Sequence, residues 1–235
     1  MKLTKEQIQQ LYIFTRQHYV EHYDMQTELV DHLANDIEQI WQEKPTLSFE
    51  DAKKMSFKKF GVFGFMDVYG ARQKALEKKY WKIIWRFTKG WFQLPKIILT
   101  TLIFMLTYLL CKSMYGEYFL AASLIIFCIY GFIKAFRLQK ALKNRVKVTG
   151  KKWMLEEMIF TTGMSGLFMI PVNFAQILFH LDFETTTTLP SWLAIIYASG
   201  FTFMLIMFYV GIEVLPKKAE KLLIENYPEY NLTIT

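Results

Sequence analysis

Residues 158–181, MIFTTGMSGLFMIPVNFAQILFHL, and residues 190–212, PSWLAIIYASGFTFMLIMFYVGI, decide the class of this chain. Neither contains Asp, Glu, Lys or Arg. A helix needs about 20 apolar residues, at ~1.5 Å each, to cross a hydrocarbon layer of ~30 Å, so both stretches are long enough outright. Two more apolar stretches precede them, at 97–114 and 118–136. These are shorter between charges and reach full span when Lys96, Lys112 and Lys134 carry their ammonium groups to the lipid headgroups. The link between them, 112–117, has room only for a tight helical hairpin. Four spans are expected, within an all-α, multi-pass membrane domain at 97–215.

The charges orient these spans. Residues 78–96 carry six basic side chains and no acidic one. Eight Lys and Arg lie within 134–152 (Lys134, Arg137, Lys140, Lys143, Arg145, Lys147, Lys151, Lys152), whereas 182–190 has none and holds Asp182 and Glu184. Lys217, Lys218 and Lys221 follow the fourth stretch. Basic loops stay on the cytoplasmic side, so both termini are expected there, with 216–235 as a cytoplasmic tail. The formal +7 therefore sits beside membrane ends rather than on a nucleic-acid-binding face. The N-terminal run MKLTKEQIQQLYIF has no uninterrupted apolar core and no small-residue cleavage site, so no signal peptide is expected. Cys111 and Cys128 both fall in spans, without metal-ligand spacing, and read as small apolar core residues.

Residues 1–77 are different in kind, with 10 basic and 12 acidic side chains, and read as a small helical bundle. Thr4 and Gln7 form a capping box ahead of Ile8, Leu11, Tyr12 and Thr15. Asp24 is placed to N-cap a second helix whose apolar stripe is Leu29, Leu33, Ile37, Ile40 and Trp41. Lys44-Pro45 ends it. Ser48 and Asp51 cap a third helix, acidic at its start and basic at its end, which Gly61 stops. A fourth helix follows Gly64. No segment alternates with period two.

The run Tyr23-Asp24-Met25-Gln26-Thr27-Glu28-Leu29-Val30-Asp31-His32-Leu33, then Asp36-Ile37-Glu38, then Leu47-Ser48-Phe49-Glu50-Asp51-Ala52 and Phe60-Gly61, resembles the HAAS-type head domain. That family is a short helical module at the cytoplasmic N-terminus of many bacterial multi-pass membrane proteins. Its pattern is an acidic, His-containing helix with an ELxDHL-like core, a second helix opening like sFeeA, and a Gly at that helix's end. The resemblance covers about residues 5–70, and the aromatic run 60–65 departs from the family's more polar turn. It implies a bacterial inner-membrane location. It also implies a head that passes signals or holds partners, often beside PadR-type repressors or anti-sigma-like systems.

Glu28, Asp31, His32 and Asp36 are the expected partner-binding residues. His18 and His22, at i and i+4, would share a helix face able to meet one metal ion, but the HExxH pattern is absent and Glu28 can pair with His32 instead. No metal site and no cofactor are expected. In the connector 78–96, Lys78, Lys79, Trp81, Lys82, Trp85, Arg86, Lys89 and Trp91 interleave basic and aromatic side chains as a lipid-interface helix does. The basic 134–152 segment can follow the same logic or dock the acidic second helix of the head at Glu28, Asp31, Asp36 and Glu38. Within the spans, Pro171 marks a kink beside Asn173 and Gln176, and Thr162, Gly166 and Gly200 mark close packing. Glu156, Glu157 and Glu213 sit at inner span ends, where Lys151, Lys152 or Lys217 can pair with them.

There is no nucleophile elbow, phosphate-cradling glycine loop or reactive cysteine. The expected function is non-enzymatic: a membrane-anchored signalling or scaffold protein whose head binds a cytoplasmic or membrane protein. Membrane lipids are further partners, direct nucleic-acid contact is not expected, and self-association stays open. The alternative is a small transporter or an accessory subunit of one, with a polar cavity lined by Thr161, Asn173 and Gln176.

Overall fold

The computed structural model describes residues 2–162, 190–227 and 230, with positions 117, 120 and 162 described by backbone alone. Every regular element among the described residues is helical. Two helices there are long and apolar enough to cross a membrane, Ala121–Thr149 and Ser191–Lys217, or three if the bent pair Phe65–Phe92 and Lys96–Cys111 is one span. Most of the third expected span, with Gly166, Pro171, Asn173 and Gln176, lies outside the described residues. The chain divides into two compact units, Met1–Lys78 with Val146–Leu155, and Lys79–Arg145 with Glu156–Thr235.

The first unit begins with α1, Lys5–Gln17. Its capping box forms: the Thr4 hydroxyl accepts the Gln7 N–H at 3.3 Å and Gln7 Oε1 accepts the Thr4 N–H at 2.9 Å. α2 spans Tyr23–Glu43 and buries Met25, Leu29, Val30, Leu33, Ile37, Ile40 and Trp41 along one stripe. Its N-cap is His22, not Asp24 as the residue type suggests, and it makes no side-chain cap bond. The Asp24 carboxylate is engaged elsewhere, accepting the Met154 N–H at 3.2 Å. α3, Phe49–Lys58, is capped by Ser48 Oγ, which accepts the Asp51 N–H at 3.2 Å.

α4 runs from Phe65 to Lys89, so the expected connector is helical for most of its length before a 3-10 turn at Gly90–Phe92. The reason is local: no Gly or Pro stands between positions 71 and 89, and the stretch is rich in Ala, Leu, Glu, Lys and Arg. The division between the units falls within this helix, at 78/79.

In the second unit, α5 (Lys96–Cys111) and α6 (Gly116–Thr149) are joined by the short link expected, but α5 packs on the 191–209 helix rather than pairing with α6 along its length. A Cβ on Gly116 would stand 2.7 Å from the Cys111 carbonyl oxygen, so only glycine lets the two backbones come this close. α6 is 34 residues long and absorbs most of the basic 134–152 segment, which carries no Pro or Gly until Gly150 ends it. α7, Met154–Glu157, leads into a π-helical turn, Met158–Thr162. α8, Ser191–Tyr209, continues through a second π-helical turn, Val210–Val214, into α9, Leu215–Lys217, and then α10, Ala219–Asn226. α5 and α8 pack through Cys111, Ala194 and Tyr197, with Tyr108, Phe119 and Leu193 around them. Cys128 is exposed rather than core, because it lies on a helix whose Ile125, Ile126, Ile129 and Phe132 also face outward. Outward apolar faces of this extent are what a lipid solvent accepts and water does not.

Candidate functional site

The first unit carries a groove of about 450 Å³ between α2, α3 and the start of α4. α2 contributes His32, Asn35, Asp36 and Gln39, spaced i, i+3, i+4 and i+7. That spacing places all four on one face of the helix, while Leu33, Ile37 and Ile40 are buried along another. α3 and its end add Ser56, Lys59 and Phe60, and α4 adds Val68.

Charge in the groove is compensated, since the Lys59 ammonium pairs with the Asp36 carboxylate. Both partners are partly exposed, so this contact positions the side chains more than it stabilises the fold. Ser56 is fully buried, and its hydroxyl makes no hydrogen bond with the described residues. An unsatisfied buried hydroxyl costs about 1–3 kcal/mol, so it is a group for which an incoming donor or acceptor would be a gain. Imidazole, two primary amides, a hydroxyl and a neutralised ion pair together offer both donors and acceptors, which is the chemistry of polar recognition.

Of the four expected partner-binding residues, His32 and Asp36 meet in this groove. Asp31 is exposed on the same helix. Glu28 pairs with Arg72 of α4 at 3.6 Å, not with His32. Asn35 and Gln39 were missed in the sequence, although they continue the helical spacing from His32 and that spacing could have found them. Ser56 and Lys59 were not, since only the packing of α3 on α2 brings them there.

The histidine pair does not exist as a helical pair. His18 is the C-cap of α1 and His22 the N-cap of α2, so the chain turns between them. The His18 ring packs on Phe14 and Phe57, with centroids 4.2 and 4.5 Å away. His22 Nδ1 lies 2.9 Å from the Tyr69 hydroxyl.

A second feature of this unit is the docking of residues 151–154 on the beginning of α2. The Tyr23 N–H donates to the Lys152 carbonyl at 2.7 Å, and Lys152 Nζ reaches Glu21 at 3.1 Å. Lys151 Nζ stands 4.0 Å above the Tyr23 ring, and the Trp153 indole meets that ring edge-on at 5.3 Å. Trp153 is only 2% exposed. The basic segment thus docks on α2, but at Glu21, Tyr23 and Asp24 rather than at Glu28, Asp31, Asp36 and Glu38. Backbone bonds and a buried indole contribute alongside the lysines. Glu38 instead accepts the Leu3 N–H at 3.1 Å.

The interfacial candidates fall on α4 and the turn after it. Trp81 and Trp85 are exposed among exposed Lys78, Lys79, Lys82, Arg86 and Lys89. Lys89 Nζ covers the Trp85 ring at 5.7 Å and Lys96 Nζ the Trp91 ring at 5.3 Å. The helix pair Phe65–Phe92 and Lys96–Cys111 is bent by 85°, so a helix rich in Lys and Trp leaves the apolar α5 almost at a right angle. Gly200 lies within α8, half-buried. Glu213 accepts from the Tyr130 hydroxyl at 2.6 Å and pairs with Lys134 and with Lys217 at 3.2 Å. Glu156, 2% exposed, takes Arg145 Nε at 2.6 Å, and the same guanidinium donates to the Tyr230 hydroxyl at 2.9 Å. No family model, curated protein or solved structure matches the chain.

Proposed function

We propose that this chain is a non-enzymatic, membrane-anchored signalling or scaffold protein whose helical head binds a protein partner through the α2–α3–α4 groove. The observation that carries the reading is the groove itself: a stripe of His32, Asn35, Asp36 and Gln39 facing Ser56, whose buried hydroxyl lacks a bond. Four spans with both termini in the cytoplasm, and a HAAS-type character for residues 5–70, belong to the same reading. They rest on the charge pattern and the quoted motif. The docking of 151–154 on α2 supports a signalling role, because it ties the segment that follows α6 to the helix that lines the groove.

The test is photocrosslinking in cells from a benzophenone side chain at Gln39 of the full-length protein, with Glu43 as the control position outside the groove. A recurrent protein adduct from position 39, absent at 43 and lost in Ser56→Leu, is the expected outcome. Adducts of equal pattern at both positions, or none, would refute a groove-centred partner site.

A further inference from the structure

The turn between α3 and α4 presents apolar side chains to the outside on a frame that could have buried them. Val62 is 97% exposed, Phe63 71% and Met66 55%. Phe65, two residues after Phe63, is 2% exposed. Phe65 packs edge-on against Phe57 and Phe60, each with centroids 4.9 Å away, and these rings form a pedestal under the turn. Gly61 and Gly64 frame it with φ of +79° and +55°, the left-handed region that favours glycine. A Cβ on Gly64 would stand 2.9 Å from the Phe57 ring, so the turn is seated directly on its pedestal. The tip is therefore held outward by a built support rather than left over from a failed core.

We propose that this tip is a membrane-docking knuckle, with Val62, Phe63 and Met66 entering the headgroup layer of an anionic bilayer. Two observations select a bilayer over another occupant. Lys54 and Lys58, both exposed and four residues apart on α3, lead into the tip and complement lipid phosphates. The same chain carries helices long and apolar enough to cross a membrane, so a bilayer is always at high effective concentration for the head. The tip runs directly into α4, which starts at Phe65. Met66 lies in the first turn of that helix. The inference does not depend on the groove: the knuckle lies outside α2, and its test reads lipid quenching at position 62 rather than a protein adduct at position 39.

The experiment uses the full-length chain, with Cys111 and Cys128 replaced by Ala, in nanodiscs of phosphatidylglycerol and phosphatidylcholine. An environment-sensitive dye is placed at Val62→Cys, and at Gln39→Cys as the control. The expected result is quenching of the position 62 dye by brominated acyl chains and protection from aqueous acrylamide, with the reverse at position 39. An anionic surface is worth about fivefold in partitioning per lysine, so Lys54→Glu with Lys58→Glu lowers quenching by at least about fivefold. Pure phosphatidylcholine discs lower it too. Both lysines are exposed, so the double variant keeps its fold, which circular dichroism verifies. Equal acrylamide access at 62 and 39 without lipid quenching would overturn the proposal. So would a crosslink from position 62 to another protein or to a second copy.

Discussion

The two units sort the same kind of side chain in opposite directions. In the first, α2 withdraws Leu29, Leu33 and Ile37 completely and leaves its charged residues outside. In the second, α5 and α6 leave Leu102, Leu106, Ile126 and Phe132 more than half exposed. Hydrophobic burial drives the first arrangement because water is the alternative. Where a helix crosses a bilayer the alternative is lipid, as apolar as leucine itself, so nothing would withdraw those side chains. What matters is therefore the solvent each face meets, and composition alone does not distinguish the two cases.

The most severe way to break the comparison is Trp153→Ala, which removes a buried aromatic and should cost about 3–5 kcal/mol within the first unit. Hydrogen exchange at Tyr23 to Gln26 and at 151–154 would rise together; unchanged exchange would show that the docked segment is not coupled to α2. Leu33→Ala should cost about 2–5 kcal/mol. Leu106→Ala, at 61% exposure on α5, should stay within about 0.5 kcal/mol in a bilayer. Equal losses for the two leucines, read by thermal melts in nanodiscs, would erase the distinction between the faces. Ser48→Ala should cost about 1 kcal/mol through the lost cap of α3, seen as faster amide exchange over Phe49 to Lys53.

The smallest effect is electrostatic. Arg86 reaches Glu225 at 3.2 Å and holds its carboxyl below the ordinary range, chiefly through the hydrogen bond between them. The folded chain then binds that proton less tightly than the unfolded chain does. The contribution is present above the ordinary Glu value and lost as pH falls through the depressed one. The pair is about half exposed, so the melting temperatures of the parent and of Arg86→Gln should differ slightly at neutral pH and converge as pH falls through the depressed value. A constant difference across that range would assign the effect of Arg86 to packing.

Much of the local structure was legible. The caps at Thr4 and Ser48, the stop at Gly61, the apolar stripe of α2 and the short 112–117 link depend on residues within a turn or two of one another. In the groove, His32 and Asp36 were legible, while Asn35 and Gln39, which share their helical spacing, were missed. Asp24 was misread because a cap residue can be recruited by a distant segment, here Met154. His18 and His22 were misread because spacing implies a shared face only where the helix continues, and the backbone turns at Tyr19, with φ of 64°.

By itself the sequence determined that the chain is helical, that it carries helices able to cross a bilayer, and which side chains each helix groups together. Those properties are set by periodicity, length and charge, all local in the chain. Only the tertiary structure decided that Ser56 and Lys59 complete the groove and that 151–154 lies on α2. It also decided that Phe65 is buried while Phe63 is not. These depend on contacts between residues far apart in sequence, where the energy of packing and the satisfaction of backbone groups override what any short stretch prefers.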